Sequence, residues 1–154
     1  MAVAPIPAGY HSVTPYLVLR DAAAAMEFYK KAFGATELYR LAGPDGKVAH
    51  GEIRIGDSPV MIGEEMDGYE GPHALGGTPV SLMIYVPDVD RMFAQALAAG
   101  AKEQRPVADQ FYGDRSGTLV DPFGHVWSLA THVEDVSPEE MKKRGAEFFA
   151  AECP

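Results

Sequence analysis

Residues 21–37 read DAAAAMEFYKKAFGATE, and residues 88–103 read DVDRMFAQALAAGAKE. Each stretch opens on an aspartate, whose short side chain accepts hydrogen bonds from the free amides of a first helical turn. Each then carries apolar residues at helical spacing: Met26, Tyr29 and Phe33 in the first, and Val89, Met92, Phe93, Ala96 and Leu97 in the second. Each stops at a glycine, where a left-handed C-terminal residue is needed. Gly34-Ala35-Thr36-Glu37 returns as Gly100-Ala101-Lys102-Glu103, sixty-six positions later. A match in cap, helix, stop and following strand, all in order, marks an internal duplication.

The flanks obey the same plan. Residues 13–20 are rich in β-branched and aromatic side chains and feed straight into the first helix. After it come a strand over 36–41, a turn at Gly43-Pro44-Asp45-Gly46, a strand over 47–55 and a short strand at Val60-Met61-Ile62. The second copy runs as a strand over 80–86, the helix, strands over 102–107 and 118–120, a tight turn at Asp121-Pro122-Phe123-Gly124, and a last strand over 126–130. The expected architecture is α+β, with two βαβββ modules spanning 12–65 and 80–132. Residues 66–79 belong to a Gly- and Pro-rich acidic stretch that reads as a linker or mobile loop. Ser137-Pro138-Glu139-Glu140 is a capping box that starts a C-terminal helix over 137–150, whose apolar stripe needs a partner surface, either the domain itself or a second subunit.

Composition limits the function. The 154 residues carry 13 Lys plus Arg against 22 Asp plus Glu, a net charge of −9 that opposes binding to phosphate backbones, so nucleic acid is not expected as a partner. No stretch approaches the roughly 20 apolar residues that span a bilayer, and residues 1–9 lack the basic and apolar regions of an export signal. The single cysteine, Cys153, can form no intramolecular disulfide and no thiolate cluster, which points to a reducing, cytoplasmic setting.

Two βαβββ modules in about 130 residues, with Thr14-Pro15-Tyr16-Leu17, the run from Phe28-Tyr29 to Phe33-Gly34-Ala35, His50-Gly51-Glu52-Ile53-Arg54-Ile55-Gly56-Asp57, Gln110-Phe111-Tyr112-Gly113-Asp114-Arg115 and Asp121-Pro122-Phe123-Gly124-His125-Val126-Trp127, resemble the vicinal oxygen chelate superfamily. That superfamily includes glyoxalase I, bleomycin-resistance proteins and extradiol dioxygenases, and the likeness is to its bacterial glyoxalase-like branch. The resemblance covers residues 12–132 and implies a U-shaped mixed β-sheet cup and a homodimer. It also implies a metal ligand on each of four strands. Registered on this chain, those positions hold Thr14, Met61, Ser81 and Ser128, none of them His, Glu or Gln. Hydroxyls and a thioether bind divalent zinc, nickel or iron poorly, so no metal and no other cofactor is expected.

The candidate ligand-binding residues fall into three groups. His50 and Glu52 alternate with Arg54 on one face of the third strand, a polar wall in which His50 can act as acid or base; the plainer reading is a solvated face or local ion pair. Tyr16, Met83 and Tyr85 stand on the pocket-facing sides of the first and fifth strands, among other apolar and hydroxyl side chains. Phe111, Tyr112 and Arg115 surround Gly113, placed to stack a planar ligand and meet an anionic group, unless the charged pair Asp114–Arg115 merely holds the loop. Glu64, Glu65, Asp67 and Glu70 form either an acidic lid or a solvated loop, while Trp127 reads as core packing and His125 as a turn residue.

Three functions fit these residues. The first is reversible binding of a small molecule, cationic or aromatic, as in proteins that sequester an antibiotic or metabolite, with the negative charge favouring a cation. The second is a glyoxalase-like lyase, isomerase or dioxygenase using a noncanonical metal or a metal-free His50–Glu52 pair. The third, of another class, is a protein-interaction module working through the C-terminal helix.

Overall fold

The computed structural model describes residues 3–152, so Cys153 and the reading built on it lie outside the described residues. The chain runs β1 (Tyr16–Leu19), α1 (Ala22–Phe33), β2 (Thr36–Ala42), β3 (Val48–Ile55), β4 (Ser58–Glu64), α2 (Pro72–Leu75), β5 (Ser81–Tyr85), α3 (Val89–Ala99), β6 (Lys102–Asp109), β7 (Asp114–Val120), β8 (Val126–His132) and α4 (Pro138–Glu152). Two four-stranded sheets result, ordered β1-β4-β3-β2 and β5-β8-β7-β6. The β2–β3, β3–β4, β6–β7 and β7–β8 pairings are antiparallel, whereas β1 runs parallel to β4 and β5 parallel to β8, so both modules share one mixed topology.

The duplicated caps form as the sequence predicts. Asp88 accepts the Arg91 amide at 3.0 Å, and Asp21 accepts that of Ala24 at the same distance. Asp21 itself sits at φ 67°, an uncommon conformation for a residue with a Cβ. Glu64, at the end of β4, supports it: its two carboxylate oxygens each accept one amide, of Asp21 and of Ala22, both at 2.8 Å. An anion on the first-turn amides also complements the helix dipole. Glu64 is therefore a cap for α1. Glu65 accepts the Gly71 amide and pairs with Arg20, so neither residue belongs to a free lid.

Helices α1 and α3 lie on one side of the sheets. From β3, Gly51, Ile53 and Ile55 turn toward α1, where a Cβ on Gly51 would sit 2.6 Å from the Met26 sulfur, so glycine is what lets the helix settle there. Trp127 of β8 is buried against the rings of Tyr29 and Phe33, which joins the modules in one core. At its centre is a buried carboxylate. Asp121 accepts the Tyr29 hydroxyl at 2.6 Å, the Trp127 indole N–H at 2.8 Å, and the amides of Phe123 and His125 at 2.9 and 3.0 Å. The Gln95 side-chain amide extends the seam by donating to the carbonyls of Lys31 and Ala32 at the end of α1.

Four local expectations change. The segment 66–79 is a structured connection, with a bridge between Met66 and Tyr69 and the short α2, which starts on Pro72 and ends at left-handed Gly76. The first strand begins at Tyr16, leaving Thr14 ahead of it. Strand β7 begins at Asp114 and not at residue 118, so the loop read over 110–117 shrinks to a turn at 110–113. His125 does more than turn the chain: its Nε2 donates to the Val18 carbonyl at 3.0 Å, tying the second module to the edge strand of the first. The C-terminal helix forms, and its apolar stripe is met by the domain itself, through Phe111 against Phe148 and Gly145.

Candidate functional site

Strand alternation sends one set of side chains to the helices and the other to the opposite, open face. On the first sheet the open face carries Tyr16 and Val18 of β1, Met61 of β4, and His50, Glu52 and Arg54 of β3, with Tyr16 and Glu52 both registered on Met61. The structure brings three of the expected residues into contact. The Tyr16 hydroxyl lies 3.1 Å from His50 Nδ1, and His50 Nε2 lies 2.9 Å from a Glu52 oxygen. A fourth member was not foreseen: the Tyr10 hydroxyl donates to the other Glu52 oxygen.

This wiring sets the protonation pattern. Hydrogen bonds from Tyr10 and then His50 hold the Glu52 carboxyl below the usual carboxylate range, despite its partial burial. The same contact raises the Tyr10 phenol, and burial raises that of Tyr16. An ionised Glu52 only accepts, so His50 Nε2 carries the proton facing it; in the neutral imidazole Nδ1 then presents a lone pair to which the Tyr16 hydroxyl donates. Tyr69, from the connecting segment, sets its ring edge-on to Tyr16, with centroids 6.1 Å apart. Tyr39 of β2 lies 6.4 Å from the His50 ring.

On the second sheet, Ser81, Met83 and Tyr85 share the open face with Ser116, Thr118 and Ser128. The Tyr85 hydroxyl donates to buried Asp114 at 2.9 Å, and the other Asp114 oxygen is 2.7 Å from His132 Nδ1. His132 Nε2 in turn meets Asp135, and the two carboxylates, Asp114 first, raise the His132 pKa. Tyr112 reaches this face too, 3.4 Å from the Ser116 hydroxyl.

Two expected residues are placed elsewhere. Because β7 starts at Asp114, Arg115 has the parity of Gly117 and Leu119 and faces α3, where it pairs with both oxygens of Asp90 at 2.8 Å and with Asp109 at 3.1 Å. Phe111 is packed beneath α4, its ring 5.1 Å from Phe148 and 6.2 Å from Phe149. Arg115 thus ties the β6–β7 hairpin to α3, and Phe111 ties its turn to α4.

Between the inner edges of the two sheets, residues 13–15 separate two clefts of about 400 and 420 Å³. Met83, Tyr85 and Trp127 line one; Tyr16, Val18 and His125 line the other. Volumes of this size suit a drug-sized organic molecule. The family's metal-ligand positions, which lie outside both clefts, do not suit a metal. At the four positions that the family resemblance assigns to metal ligands, Met61 offers a thioether, Thr14 a hydroxyl turned to the His11 carbonyl, Ser81 a hydroxyl, and Ser128 one bonded to Thr118 at 3.1 Å. Among the described residues no three His, Cys, Asp or Glu side chains come together in a way that could hold a metal ion. No helix among them is long and apolar enough to cross a membrane.

The chain is 45% identical over 136 residues to Rv0887c of Mycobacterium tuberculosis, a protein of uncharacterized function, covering 85% of this chain and 80% of that one. Among solved structures it is similar to TioX from Micromonospora sp. ML1, with a TM-score of 0.63 and 26% identity over 82% of this chain and all of that one. The fosfomycin resistance protein FosX from Listeria monocytogenes shares the fold, with a TM-score of 0.61 and 20% identity over 85% of this chain and 97% of that one. Residues 10–129 match the family model for the glyoxalase/bleomycin resistance protein/dioxygenase superfamily, and the chain belongs to that superfamily.

Proposed function

We propose that this protein is a small-molecule-binding member of its superfamily, holding an organic ligand on the open sheet faces and in the adjoining clefts so as to sequester an antibiotic or metabolite. The observation that carries the reading is the Tyr10–Glu52–His50–Tyr16 chain of hydrogen bonds, which fixes polar groups on a partly exposed face among apolar neighbours. Fixed polar groups set in an apolar wall are what orient an organic ligand. The donor chemistry at the four positions that the resemblance assigns to metal ligands favours binding without a metal. Superfamily members bind small molecules, which supports the same reading. The working form is a homodimer in the cytoplasm; the exposure of Leu38, Val133 and Phe149, none of them part of the ligand face, gives a second subunit apolar surface to cover.

The test is a thermal-shift screen of cationic and aromatic compounds on the intact chain. A ligand at a hundredfold excess over its dissociation constant stabilises the fold by about 2.7 kcal/mol. The shift should shrink in H50A and in E52Q. A panel with no shift at saturating concentrations, or about one tightly bound metal ion per chain in chelator-free protein, refutes the reading.

A second reading rests on the same hydrogen bonds. His50, held between a carboxylate and a phenol at 2.9 and 3.1 Å, has the surroundings of a metal-free acid/base in a lyase or isomerase. Turnover of a carbonyl substrate that is lost in H50A would favour it over simple binding.

A further inference from the structure

We propose that Tyr16 and Tyr39, both next to His50, together with Tyr69 edge-on to Tyr16, form a binding site for an organic ammonium ion. The proposal rests on the small-molecule reading above and names the ligand class for the first module. The three tyrosines come from β1, β2 and the 66–69 bridge, far apart in sequence, and each stays 42–50% exposed. Their positions are coupled: Tyr16 is 5.6 Å from the His50 ring and 6.1 Å from Tyr69, while Tyr39 approaches His50 from β2 at 6.4 Å. Aromatic faces attract a cation within about 6 Å of the ring centre, and grouped rings are how aromatic cages hold ammonium ligands.

The hydrogen-bond polarity selects the same ligand. Glu52 is ionised and offers only acceptors. With His50 neutral and its Nε2 proton facing Glu52, Tyr16 donates its one proton to Nδ1, and the hydroxyl then shows an incoming molecule lone pairs alone. An ammonium or N–H donor meets acceptors there; a carboxylate or phosphate meets the like charge of Glu52. One cation stands on the same strand face. Arg54 lies beyond Glu52 as seen from His50, and its guanidinium is close enough to Gly9 that a Cβ there would sit 3.1 Å from Nη2. It thus flanks the N-terminal segment and not the rings. The overall charge of −9 adds a weak attraction for cations.

The experiment titrates the full-length chain with choline chloride and, separately, with its neutral isostere 3,3-dimethylbutan-1-ol, at constant ionic strength, following backbone amides by NMR. Choline should perturb the amides of Tyr16, Tyr39, His50, Glu52 and Tyr69 saturably and bind at least about tenfold tighter than the alcohol. Y69L should weaken choline by about two- to fivefold with unchanged thermal stability, Y69F should restore it, and E52Q should reduce the preference over the alcohol. Equal binding of choline and alcohol at these amides overturns the ammonium assignment and leaves the small-molecule reading standing. Absence of saturable change at these amides with either compound overturns the cage, whereas failure of the broad thermal-shift panel is what removes the wider reading.

Discussion

Replacing Asp121 with asparagine should test how the two modules are joined. The carboxylate is 3% exposed and accepts four hydrogen bonds, from the Tyr29 hydroxyl, the Trp127 indole and the amides of Phe123 and His125. The asparagine oxygen can serve either the two side-chain donors or the two amides. Its NH2 group must then point at the remaining pair. Tyr29 can rotate its proton away; Trp127 cannot, and neither can the amides. Each lost bond to a charged acceptor is worth about 1.5–3 kcal/mol, offset in part because a charge no longer has to be buried. The net loss is about 2–4 kcal/mol, or roughly 6–12 °C in Tm for a domain of this size. Tyr29→Phe, which removes one donor and leaves three, should cost about 1 kcal/mol. Trp127 is the only tryptophan, so its fluorescence during urea unfolding reports the site directly. A D121N stability within about 0.5 kcal/mol of the parent would refute Asp121 as the joint.

Three further outcomes are expected. Gly113→Ala should destabilise by about 2–4 kcal/mol in denaturant titrations, because φ is +95° and the new Cβ would fall 2.2 Å from the Glu134 carbonyl oxygen, which is backbone and cannot swing aside. Glu37, whose pKa is lowered to about 2 by hydrogen bonds from Arg40 and then Lys30, contributes stability that is complete above its unfolded value and is lost as pH falls through about 2. Screened at the surface, that contribution is below about 1 kcal/mol, so Glu37→Gln should lower urea midpoints slightly at pH 7 and leave them unchanged near pH 2. Phe111→Ala removes the seat of Phe148 and Gly145, so amide exchange in α4 should accelerate while β7 and β8 keep their protection.

The duplication was legible because its signals are local. Asp88, Gly34 and Gly100 act within one helical turn, and the helical spacing of Met26, Tyr29 and Phe33 needs no knowledge of distant contacts. Trp127 was placed correctly in the core by parity alone. Arg115 shows the converse. Reading β7 from residue 118 left residue 115 in a loop, whereas extending the strand to Asp114 gives it a face, and that face belongs to α3. Phe111 looked like a stacking ring because nothing nearby in sequence reveals that α4 returns to cover it. Tyr10 and Tyr69 reach His50, Glu52 and Tyr16 from irregular segments, which have no period from which to read direction. Asp121 was visible as a turn residue, and its second oxygen, bonded to Tyr29 ninety-two positions away, was not.

The alternation of the strands divides stability from recognition. On β8, Trp127 and Leu129 bind the core, while Ser128 between them faces outward and bonds the hydroxyl of Thr118 on the neighbouring strand of its own module. On β3, Ile53 is sealed and Glu52 is not. Changes at outward positions are therefore cheap for the fold, within about 0.5 kcal/mol where no buried group is disturbed. Two copies that began with the same plan have been free to drift on that side. One now presents tyrosines around an imidazole and the other a row of hydroxyls beside Asp114, so a single chain offers two chemically unlike walls without a second core to stabilise.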